Sequence, residues 1–126
     1  MENNEASEKK GILRRKSYAF ALRIVGLYKF LVNEKREYVM SKQLLRAGTS
    51  IGANIAEAQQ GQSKPDFIHK LSISLKESFE TEYWLDLLRD SDFITPEQAS
   101  SMIGECKELQ RLLTASIKTA KNNSGL

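Results

Sequence analysis

The chain has 126 residues, 40% hydrophobic and 28% charged, with 19 basic and 16 acidic side chains giving a net charge of +3. That size and balance suit one globular domain. A lone cysteine, Cys106, excludes an intrachain disulfide, and no stretch nears the ~18 continuous apolar residues of a membrane span. The segment MENNEASEKKGILRRKS lacks a signal-peptide apolar run, so the expectation is a cytoplasmic protein with no membrane partner.

The first helix is predicted from about Ser17 to Asn33. Phe20, Ala21, Ile24, Leu27, Tyr28 and Leu31 recur there at three- and four-residue intervals, the period of one buried helical face. It can extend back through Ile12 and Leu13, while residues 1–11 are expected to fray.

Ser41 is placed as the N-cap of the second helix, because its hydroxyl can accept from an orphan backbone N–H, and Gly61 as its stop. Within it, LLRAGTSIGANIAEA (Leu44 to Ala58) sets Leu44, Ile51, Ile55 and Ala58 on one line, with Gly48, Gly52 and Ala56 beside it. A glycine costs a helix about 1 kcal/mol against alanine. Two of them imply close approach of another backbone.

The third helix opens at Ser63-Lys64-Pro65-Asp66, a capping serine followed by proline in the first turn and an acid favoured by the helix dipole. It runs to about Arg89. One face carries Phe67, Ile68, Leu71, Leu75 and Leu85; the opposite side carries Ile73, Trp84, Leu87 and Leu88. A bundle needs one apolar stripe per helix, so the second set is either scattered surface apolar residues or an oligomer interface; Trp84 beside Leu87 and Leu88 favours the interface.

Thr95-Pro96-Glu97-Gln98 starts the fourth helix with the elements of a capping box. Its apolar line is Ala99, Met102, Ile103, Cys106, Leu109, Leu113 and Ile117, and residues 122–126 are expected to fray. No segment alternates as a strand does. Four helices with short connections predict an all-α, antiparallel up-down-up-down four-helix bundle in a single domain.

The residues offer no catalytic, metal or cofactor site. Cys106 falls in an apolar line and reads as an inert buried thiol. His69 is the only histidine, so the two Glu-x-x-His pairs of a two-metal bundle cannot be assembled, and with no Gly-rich nucleophile turn around any serine a catalytic triad is not expected. Glu82 falls on the predicted core line of the third helix, where a carboxylate must be paired. Arg46, Ser50, Asn54 and Glu57 on the second helix are its expected partners in a buried polar network that fixes helix register; the alternative is a ligand or catalytic carboxylate.

Charge is unevenly spread. Eleven of the 19 Lys and Arg fall within the first 46 residues, and eleven of the 16 acids between Glu57 and Glu108. Arg14, Arg15, Lys16, Arg23, Lys42 and Arg46 are candidates for backbone-directed contact with RNA or DNA. The alternative is that the basic front half pairs with the acidic back half, leaving a protein-binding subunit with no nucleic-acid affinity.

Three stretches, KSYAFALRIVGLYKFL (Lys16 to Leu31), LLRAGTSIGANIAEA (Leu44 to Ala58) and KESFETEYWLDLL (Lys76 to Leu88), resemble the 23S rRNA intervening-sequence proteins. The resemblance implies a bacterial four-helix bundle forming a ring-like homopentamer, and it brings no catalytic residues with it. The family is also similar to the accessory protein of diversity-generating retroelements, a basic pentameric barrel that binds nucleic acid and a reverse transcriptase. Together these readings point to a non-enzymatic, homo-oligomeric binding or scaffold protein, with RNA, a ribonucleoprotein or a protein as partner.

Overall fold

Helix caps written into the sequence set the elements of this computed structural model, which describes residues 4–61 and 63–124. The elements are α1 (Asn4–Asn33), α2 (Met40–Gln59), α3 (Lys64–Asp90) and α4 (Pro96–Ser124), with no strand among the described residues. Helix α1 is continuous from Asn4, well before Ser17, and buries Leu13 and Ser17 as well as Phe20, Ile24 and Leu31. The last two residues of the tail lie outside the described residues.

At α4 the capping box closes in both directions: the Thr95 N–H donates to Gln98 Oε1 at 2.9 Å, and the Gln98 N–H to Thr95 Oγ1 at 3.1 Å. At α3 the Asp66 N–H donates to Ser63 Oγ at 3.2 Å. The start of α2 corrects the sequence reading. Ser41 is not the cap; it lies inside the helix and donates its hydroxyl to the Glu37 carbonyl. The Glu37 carboxylate does the capping instead, accepting from the N–H groups of Val39 (3.2 Å), Met40 (3.1 Å) and Ser41 (2.7 Å). A longer side chain four residues upstream thus satisfies donors that a serine hydroxyl satisfies elsewhere.

Two of the turns use non-glycine residues in the left-handed region, Arg36 at φ 55° and Asp92 at φ 67°. After Asp92 the Phe93 N–H reaches back to the Leu88 carbonyl at 2.9 Å, the six-to-one bond of a Schellman-type stop.

All four helices feed one apolar cluster, in which Phe20, Ile24, Leu44, Ile51, Leu85 and Leu109 are fully or almost fully buried. Helix α2 packs on α1 and α3, and α4 packs on α3 and less extensively on α1. The core seam of α3 runs Ile68, Leu71, Ser74, Ser78, Thr81, Leu85 and Leu88. Three of its seven positions are small hydroxyl residues. Each hydroxyl has an acceptor, and Ser74 crosses to α2, donating to the Ile51 carbonyl at 2.8 Å.

Candidate functional site

The small residues of α2 sit where α1 comes close. A Cβ built on Gly48 would lie 2.7 to 2.8 Å from three side-chain carbons of Ile24. One on Gly52 would meet Ser17 Oγ at 3.3 Å and the Ser17 carbonyl oxygen at 3.4 Å. The missing side chains let α1 approach α2 closely, and Ala56 continues the line as a half-buried residue.

The expected polar network does not form as one unit. Glu82 keeps 23% of its side chain exposed and faces α4, accepting from Gln110 Nε2 at 2.9 Å, with Lys107 Nζ at 3.6 Å. Ser50 donates to the Arg46 carbonyl, Asn54 to the Ser50 carbonyl, and Glu57 pairs with Lys70. The two groups lie on different helix pairs. The buried polar positions of α3 are instead Ser74, Ser78 and Thr81, and no buried side-chain N or O among the described residues lacks a partner.

Three of the six basic candidates are neutralised within the chain. Lys16 pairs with Glu108 at 3.2 Å, Arg23 with Glu105, and Arg46 with both Glu77 and Glu80. Trp84 Nε1 also donates to Glu80 at 3.1 Å. That bond, followed by the Arg46 guanidinium, holds the Glu80 carboxyl below its usual value against the opposing effect of burial, and Glu80 in turn raises Arg46. Arg14, Arg15 and Lys42 are exposed and have no ion pair among the described residues.

The outward apolar residues differ from those expected. Leu88 is 0% exposed and belongs to the core, so it is not an interface residue; Ile73 and Trp84 are half-buried, and only Leu87 of the four is exposed. The outward line of α3 is Phe79, Tyr83 and Leu87, with Phe79 56% and Tyr83 58% exposed. A second apolar face lies on α1, where Tyr18 is 67% and Leu22 58% exposed. Beside Tyr18 an open groove of ≈ 580 Å³ runs between α1 and α2, lined by Gly52, Ala53 and Ala56 from α2 and by Arg14 and Arg15 from α1. Large side chains outside a predicted stripe, three or four residues apart, were the available signal for both faces.

Cys106 is buried, and its thiol donates to the Ser78 carbonyl at 3.1 Å. Burial, reinforced by the nearby Glu82 charge, pushes it up to about 12, far from a reactive thiolate. No three His, Cys, Asp or Glu side chains among the described residues are grouped to hold a metal. No helix is long and apolar enough to cross a membrane among the described residues.

No curated protein matches the chain. A crystal structure at 1.70 Å of a protein with unknown function from the S23 ribosomal protein family of Bacteroides thetaiotaomicron VPI-5482 is 58% identical to it. That similarity covers 87% of this chain and 98% of the other, with a TM-score of 0.86. The sequence pattern of the 23S rRNA-intervening sequence proteins matches residues 9–115. The chain belongs to the 23S rRNA-intervening sequence protein family.

Proposed function

We propose that the protein is a non-enzymatic scaffold module working as a ring-like homo-oligomer, a homopentamer by its family resemblance, built from a single up-down-up-down domain. The bundle topology is supported by the order of the helix pairings. Lys10, Ser17 and Ile24 of α1 meet Gln59, Gly52 and Gly48 of α2, and Arg46, Ile51 and Glu57 meet Glu77, Ser74 and Lys70 of α3. The observation that carries the oligomer is the exposure of Tyr18, Leu22, Phe79 and Tyr83 on two faces, since contiguous apolar patches of this kind mark interaction surfaces.

A second reading, contact with RNA or DNA, is favoured by Arg14 and Arg15, which line the groove unpaired. The pairing of Lys16, Arg23 and Arg46 within the chain weighs against a continuous basic surface, and so the scaffold reading stands first.

Light scattering at micromolar protein tests the first reading; a stable monomer would end it. Titration of labelled single- and double-stranded RNA and DNA tests the second. The scaffold reading expects no saturable binding at low salt. Binding that falls steeply between about 50 and 200 mM salt, and is lost on Arg14→Glu with Arg15→Glu, would put nucleic acid first.

A further inference from the structure

We draw no further inference here: the strongest candidate, the groove between α1 and α2 where Gly52, Ala53 and Ala56 lie beside Tyr18, Arg14 and Arg15, is an open apolar face, and nothing in the structure shows what covers it.

Discussion

Replacing Gly48 by alanine adds one methyl group at the closest approach of α1 and α2. In an exposed helix that change stabilises by about 1 kcal/mol. Here the new carbon would stand 2.7 Å from Ile24 Cγ1 and 2.8 Å from Cγ2 and Cδ1. Ile24 is fully buried and β-branched, so it cannot turn away from all three contacts. Overpacking of this kind costs about 1–3 kcal/mol, and the expected net result is a loss of about 0–2 kcal/mol. Gly52→Ala is the control: its nearest neighbour is Ser17 Oγ at 3.3 Å, which moves by a few tenths of an ångström, and stability should stay within about 0.5 kcal/mol. The decisive measurement is a double-mutant cycle. In an Ile24→Ala background the clash is gone, so Gly48→Ala should stabilise by its propensity alone, giving a coupling of about 1–3 kcal/mol. Urea unfolding followed by the single tryptophan, Trp84, reads it at fixed protomer concentration, since assembly adds to apparent stability. A Gly48→Ala protein more stable than wild type by about 1 kcal/mol, with no coupling to Ile24, would refute the close-packing argument.

Glu37→Gln should cost about 1–2 kcal/mol at neutral pH through loss of the α2 cap. Burial by itself would raise the Glu37 carboxyl, but the Ser41, Met40 and Val39 N–H groups hold it below the usual 4.5. Its contribution is therefore complete above 4.5 and is lost as the pH falls through the lower folded value. Urea midpoints of wild type and variant should converge as the pH drops below 4.5, and parallel profiles would contradict the capping role. Cys106 should resist a thiol-labelling reagent at pH 8 in the folded protein and react readily in denaturant; fast labelling of the native state would refute its burial. Arg36→Gly should raise stability by about 0.5–1 kcal/mol in the same unfolding assay, because φ 55° suits glycine better than arginine.

Caps made of adjacent residues were legible in the sequence. Thr95 with Gln98 and Ser63 with Asp66 needed only the knowledge that a hydroxyl or amide reaches three residues along the chain. Glu37 was not: it reaches a similar distance along the chain, to the N–H groups of Val39, Met40 and Ser41, but a glutamate is not among the short side chains that mark a cap, and the nearby Ser41 is. The face of α3 was misread for a different reason. Ser74, Ser78 and Thr81 occupy its core line, and small hydroxyl residues count as polar in any apolar periodicity. The apparent stripe therefore shifted, Leu88 moved outward and Phe79 and Tyr83 went unnoticed. Such residues can be buried because each returns its hydroxyl proton to a backbone carbonyl. Ion pairing was half legible: the uneven spread of charge implied internal neutralisation, but only the folded chain distinguishes Arg23 and Arg46 from Arg14 and Arg15.

The contact between the first and last helices behaves differently from the other three. Lys16 with Glu108 and Arg23 with Glu105 link residues 92 and 82 positions apart, all four side chains standing well out in solvent. The bundle is thus a strip of helices rolled into a tube and closed along one long-range edge. Closure of that edge carries the largest loop entropy, which grows by about 0.6 kcal/mol with each doubling of loop length, and its ionic links are of the kind that salt screens. The edge is accordingly where the tube unrolls first. Amide exchange in α1 and α4 should accelerate with ionic strength while the α2–α3 pair stays slow, and uniform acceleration of all four helices would show that the tube opens as a whole. Ionic strength then becomes a control on how long the inner surface of the first helix is uncovered, independent of any partner.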